Sequence, residues 1–170
     1  MSKSEFSRWK AQVAQWRKRY SVPYERGKYD PTQVKVANAR CAKCGSYTSL
    51  TRHHKGHEYY FACLLPDVYA RRYIEFRSED CITLCVRGKR CHQRVHKLYE
   101  RILAELWEYV QSCVEEITYD GHGVAHFKWK HTPSFAVLEG FRLRLISRCD
   151  QWISRGNKKM PRTYKEYKDA

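Results

Sequence analysis

No run of about 18 apolar residues occurs anywhere in these 170 residues, so no segment has the length and character of a bilayer-spanning helix. The opening "MSKSEFSRWK" lacks the apolar core of a secretory leader. Negative charge is scarce: 18 Asp and Glu stand against 33 Lys and Arg, a formal net charge of +15. No internal repeat is present. These absences set aside membrane-spanning and secreted readings, and the expectation is a soluble, cytoplasmic protein that does not use a membrane.

What is present narrows the field further. At this length, 42% hydrophobic residues suffice for one compact domain, or for a small core with helical flanks. Eight cysteines without a secretion signal favour metal ligation over a disulfide framework, because cytosolic thiols stay reduced. The basic excess points to a polyanionic partner. It lies in patches: residues 1–20 carry six basic groups against Glu5 alone, "VRGKRCHQRVHK" carries five and no acid, and the tail from Gln151 carries six against two. "YERILAELWEYVQSCVEEITYD" is acidic by contrast. Trp9, Trp16, Tyr20 and Tyr24 interleave with the basic residues, a composition suited to backbone contact and base stacking, although a solvated basic face has the same signature.

Periodicity gives the elements. Phe6, Trp9, Val13, Trp16 and Tyr20 recur at steps of three and four, which predicts a helix opened by a Ser2–Glu5 capping box. Its aromatic stripe is expected to pack on the protein and not to await bases. "SVPYERGKYDPTQ" reads as a linker. "YTSLTRHH" and "CITLC" have strand character. Leu98, Ile102, Leu106, Val110 and Val114 then predict a helix of some six turns starting near Cys91 and extending to about residue 117. After "TYDGHGVAHFKWKHTPS", read as a break, Thr132 as N-cap and Pro133 at the first helical position open a last helix through Phe135, Leu138, Leu145, Cys149 and Trp152, stopping near Gly156. Three regions result: 1–36, a basic helix and linker; 37–99, a core rich in Cys and His; and 100–170, helical with a basic tail.

The core holds the chemistry. Cys41-Ala-Lys-Cys44-Gly45 is a zinc-knuckle spacing in which two thiolates reach one ion and the glycine permits the tight turn. Cys85 and Cys91 in "LCVRGKRCH" are the best second pair, although five residues intervene and Cys81 is an alternative member. Cys81 and Cys85 on an apolar strand also fit small buried hydrophobes. A four-cysteine zinc has no open coordination position and holds a fold together without catalysis. It would bring "TRHH" close to "CHQRVH". His92 and His96, at i and i+4 on a helix, lie on one face and can share an ion. His53 and His54, neighbours on a strand, point to opposite faces, so one can bind that ion while the other acts beside it. An imidazole is a suitable general base for water near pH 7, and a divalent cation stabilises the charge that develops on a phosphate. His57, His122, His126 and His131 carry no partner pattern.

"CAKCGSYTSLTRHH" followed by "SEDCITLCVRGKRCHQRVH" resembles the HNH endonuclease family in its zinc-bearing form, over roughly Asn38 to Lys97. The resemblance implies an α+β protein: a small ββα-metal core stapled by the knuckle, with flanking α-helices at both ends. It implies His54 as the general base, His53, His92 and His96 as ligands of a catalytic Mg²⁺, Mn²⁺, Ni²⁺ or Zn²⁺, and Cys41, Cys44, Cys85 and Cys91 as ligands of a structural Zn²⁺. The family's middle asparagine aligns with Asp80, which accepts the same hydrogen bonds but cannot donate, and "VRGKR" is an insertion within the second knuckle. The expected partner is double-stranded DNA, with Arg8, Lys10, Arg17, Lys18, Arg19, Arg52, Arg87, Lys89 and Arg90 as phosphate contacts. Small HNH proteins of this kind serve phages, mobile elements and defence systems. Two rivals stand: a catalytically idle zinc-stabilised nucleic-acid-binding or assembly module, and a basic helical partner-binding protein whose cysteines are structural only.

Overall fold

The computed structural model describes residues 7–11, 13, 40–57, 60, 61, 64, 81–119 and 125–155. Among the described residues helix and strand are mixed, with strands in two small antiparallel sheets, an α+β arrangement. Strand β1 (Leu50–His54) pairs antiparallel with β2 (Cys81–Cys85), Leu50 opposite Cys85 and His54 opposite Cys81. Helix α1 spans Cys91–Cys113, β3 Val114–Tyr119, β4 Ala125–Trp129 and α2 Phe135–Ser154. Among the described residues, no helix is long and apolar enough to cross a membrane.

Two compact units share the chain. One takes 1–22, 57–76 and 101–144; the other takes 23–56, 77–100 and 145–170. Each unit therefore draws on part of α1 and part of α2.

In the first unit, residues 7–11 and 13 are helical and their apolar stripe is packed: Trp9 and Val13 are buried. Trp9 stacks on Trp107 of α1 at 5.0 Å between ring centroids and meets Tyr60 edge-on at 5.1 Å. Ring pairs of this kind add about 0.5–1.5 kcal/mol beyond the area they bury. Phe6, Trp16, Tyr20 and the Ser2–Glu5 cap lie outside the described residues. The long helix ends earlier than its periodicity predicts. Val114, instead of extending α1, begins β3, and the segment read as a break contains β4. The i, i+4 series does reach Val114, but Val114, Ile117, Thr118 and Tyr119 are β-branched or aromatic, and a partner strand supplies the ladder that local periodicity cannot reveal. Lys130 N–H donates to the Cys113 carbonyl at 2.9 Å, satisfying one of the acceptors that the end of α1 leaves over. The final helix also starts later than Thr132 and Pro133 predict. The Ser134 carbonyl accepts the first helical hydrogen bond, from Leu138 N–H at 3.0 Å, and the Ser134 N–H donates to the Tyr109 hydroxyl at 2.8 Å. A tertiary acceptor from α1 thus moves the cap by two residues.

The second unit is organised by β1, β2 and the first turns of α1. Cys91, Val95 and Tyr99 form the buried stripe of those turns. Leu84, Cys85 and His53 are buried from the strand pair, and Leu145 and Cys149 from the end of α2.

Candidate functional site

The knuckle is a turn sewn to the edge of β2. Cys41 N–H donates to the Ser46 carbonyl at 2.7 Å, Gly45 N–H to the Cys41 carbonyl at 2.8 Å, and Ala42 N–H to the Thr83 carbonyl at 2.9 Å. Gly45 has φ 76°, a left-handed conformation that a side chain disfavours. Cys85 closes β2, and the long "VRGKR" connection returns the chain to Cys91 through left-handed residues at Gly88 (φ 66°) and Arg90 (φ 49°). The five-residue gap is thereby compatible with one cluster: Sγ of Cys41, Cys44, Cys85 and Cys91 all lie within 4.8 Å of one another. Cys81 is not a member, because the antiparallel register puts it at the opposite end of β2, beside His54.

The donor set fits zinc. Cys44 and Cys85 Sγ are 3.7 Å apart, where a tetrahedral ion with arms of about 2.3 Å separates its sulfurs by about 3.8 Å. All four cysteines are free. Their acidities differ: burial opposes ionisation of Cys41, but N–H groups of Cys44, Cys85 and Lys43 hold its thiol below the ordinary range. Burial pushes Cys44 up to about 11, and burial together with charge at Cys41 pushes Cys91 up as well. As four thiolates so closely packed, these groups would need a cation among them, and a divalent ion held there would keep all four deprotonated.

The second cluster sits at the other end of the strand pair. His53 on β1, His92 and His96 on α1 offer ligand nitrogens that lie within 4.8 Å of one another. Nε2 of His92 and Nε2 of His96 are 3.2 Å apart; metal–nitrogen arms of about 2.1 Å place two ligands about 3.0–3.4 Å apart over octahedral to tetrahedral angles. The His53 ring stands edge-on to both, at 5.3 Å. With 2% of its surface exposed, His53 is pushed down to about 2, first by burial and then by charge on His96, His92 and His54. It therefore presents a neutral imidazole at any physiological pH, the form that ligates metal.

His54 is only half buried and belongs to a different environment: its Nδ1 is 3.5 Å from Cys81 Sγ across the strand pair. Arg87, Lys89 and Arg90 are exposed on the knuckle loop, and Arg52 is half buried on β1. Arg8 is exposed with its guanidinium 5.8 Å over the Tyr119 ring, and Lys10 is half buried. Asp80, Arg17, Lys18 and Arg19 lie outside the described residues. His57, in a left-handed conformation (φ 49°), stacks on Tyr60 and is not in either cluster.

Tyr99 and two lysines in the loops of the clusters, Lys43 and Lys55, carry no expectation from the sequence. Tyr99, three residues beyond His96 on α1, reaches both His53 and the Lys55 carbonyl. Lys55 pairs with Asp150 at 3.0 Å, and Lys43 lies over the Trp152 ring at 4.8 Å and donates to the Trp152 carbonyl, so the end of α2 is fastened to both clusters' loops. Tyr99 was accessible in principle, since positions 92, 96 and 99 share one helix face; the α2 contacts carry no local signal. No family model, curated protein or solved structure matches this chain.

Proposed function

We propose that this protein is a metal-dependent endonuclease of the HNH type, a ββα-metal enzyme that hydrolyses phosphodiester bonds of double-stranded DNA. The observation that carries the reading is the division of two neighbours on one strand: His53 is gathered with His92 and His96, while His54 stands apart from that cluster. This separation suits phosphodiester hydrolysis, with one imidazole to help hold a cation and another to take a proton from water.

In this mechanism His53, His92 and His96 would hold a divalent cation, which when bound would stabilise charge on the phosphate and the leaving oxygen. His54 removes a proton from the attacking water. Its Nδ1 is engaged by Cys81, so Nε2 is the nitrogen assigned to that transfer. Cys41, Cys44, Cys85 and Cys91 would hold a structural zinc that would fasten the knuckle to β2 and the start of α1, and so fix the spacing of β1 and the His92–His96 face. Arg87, Lys89 and Arg90, exposed beside it, contact phosphate on this reading.

The second reading is a zinc-stabilised nucleic-acid-binding or assembly module without catalysis. Asp80, where the family carries asparagine, is the observation that favours it. Cleavage of supercoiled plasmid in Mg²⁺, Mn²⁺ or Ni²⁺, with an EDTA control, separates the two. The enzyme reading expects metal-dependent nicking or cutting that His54→Ala abolishes at equal zinc content while DNA binding persists. Binding without cleavage in every metal selects the module.

A further inference from the structure

The Tyr99 side chain occupies a junction that neither metal cluster explains. It rises from α1 one turn beyond His96 and is fully buried. Its hydroxyl lies 2.9 Å from the Lys55 carbonyl and 3.2 Å from Nε2 of His53, and its ring is tilted 34° to the His53 ring at 5.8 Å. A phenol has one hydrogen to give. A carbonyl can only accept, so the Tyr99 hydroxyl donates to Lys55 and meets His53 with its oxygen lone pairs. The hydrogen between Tyr99 and His53 must then be carried by His53 Nε2. In a neutral imidazole that leaves Nδ1 as the nitrogen with a lone pair.

We propose that Tyr99 is a positioning residue for the histidine cluster: it fixes His53 as the Nε2–H tautomer and turns Nδ1 toward the ion shared with His92 and His96. The inference rests on the reading of those three histidines as metal ligands. It extends that reading because Tyr99 acts on two elements together. One hydrogen bond sets the ring and tautomer of His53, and the other holds the chain at Lys55, the residue after His54. The ligand and the base are thus registered to the same hydroxyl on α1. Groups that orient a ligating histidine through its other ring nitrogen typically change metal affinity 10–100-fold.

The test uses the full chain loaded with one equivalent of zinc, with Ni²⁺ as the probe for the histidine cluster. Titration of wild type, His53→Ala and Tyr99→Phe is expected to show tight Ni²⁺ binding in wild type, its loss in His53→Ala, and a roughly 10–100-fold weakening in Tyr99→Phe at unchanged zinc content. Before Ni²⁺ is added, long-range ¹H–¹⁵N spectra are expected to show His53 protonated at Nε2 in wild type. They should show a redistribution between tautomers in Tyr99→Phe, which a purely packing role for the ring would not produce. Equal Ni²⁺ affinity in wild type and Tyr99→Phe overturns the positioning role and leaves the metal reading standing. Ni²⁺ binding indifferent to His53→Ala overturns the metal reading, and this inference with it. If Tyr99→Phe loses its zinc through misfolding, the wild-type spectrum decides alone: protonation at Nδ1 overturns the proposal.

Discussion

His53 and His54 are consecutive on β1, yet His53 is buried edge-on to His92 and His96 while His54 faces Cys81 across the strand pair with Nδ1 3.5 Å from its Sγ. The pleat of a strand separates them, and the two substitutions should therefore separate two functions. His53→Ala is expected to lose Ni²⁺ binding and cleavage together. His54→Ala should keep Ni²⁺ binding and lose about 10²–10⁴-fold in cleavage rate. Ni²⁺ titration beside plasmid cleavage reads both, and a His54→Ala protein that cleaves at the wild-type rate removes the base from the mechanism.

The cysteine cluster makes its own prediction. Cys81→Ser should retain one zinc per chain, because Cys81 stands at the far end of β2 from the other four. Cys85→Ser and Cys91→Ser should lose zinc, and because metal binding to such a site is coupled to folding, strong chelators should unfold the knuckle in the wild type. Zinc content by elemental analysis and circular dichroism before and after chelation check this; zinc loss from Cys81→Ser would contradict the register.

Acid should destabilise the protein through His53. An unfolded chain protonates this imidazole below about pH 6.5, whereas the folded chain holds it neutral until about pH 2. Between those values the unfolded state binds the extra proton, so stability falls as pH falls. With no ion at the histidines, this group alone should remove about 2 kcal/mol between pH 7 and pH 5. Urea midpoints at both pH values, compared with those of His53→Leu, isolate the contribution; an equal loss in the variant would place the titration elsewhere.

Replacement of Arg87, Lys89 and Arg90 together by alanine should weaken DNA binding without regard to sequence, and should reduce the slope of log affinity against log salt by about 3 if each neutralises one phosphate. Fluorescence anisotropy over a salt series measures the slope. An unchanged slope would make the exposed "VRGKR" loop a structural connection between Cys85 and Cys91 only.

Trp9 tests the assignment of the N-terminal stripe to packing. With only 2% of its surface exposed, between Trp107 and Tyr60, it should cost about 3–5 kcal/mol when replaced by alanine. A stripe that served base stacking would instead give a stable variant with weakened DNA binding, and urea unfolding beside a binding assay distinguishes the two.

The sequence by itself determined what depends on short spacing: the Cys41–Cys44 knuckle, a strand within "YTSLTRHH" and one at "CITLC", His92 and His96 on one helical face, and opposite faces for His53 and His54. Each follows from a turn, a pleat or a helical period, and these are properties of a few consecutive residues. Only the tertiary structure decided between Cys81 and the Cys85–Cys91 pair, because that choice rests on antiparallel register between segments distant in the chain. The end of α1 at Cys113 and the β3–β4 pair were hidden for the same reason: the β-branched and aromatic residues after Cys113 become a strand only through a partner that local periodicity does not show. The cap of α2 at Ser134 depends on a hydroxyl from Tyr109, and the placing of Tyr99 between His53 and Lys55 depends on the packing of α1 against β1. Hydrogen bonds between remote segments leave no periodic trace, and they are what turned a set of suitable residues into an arranged site.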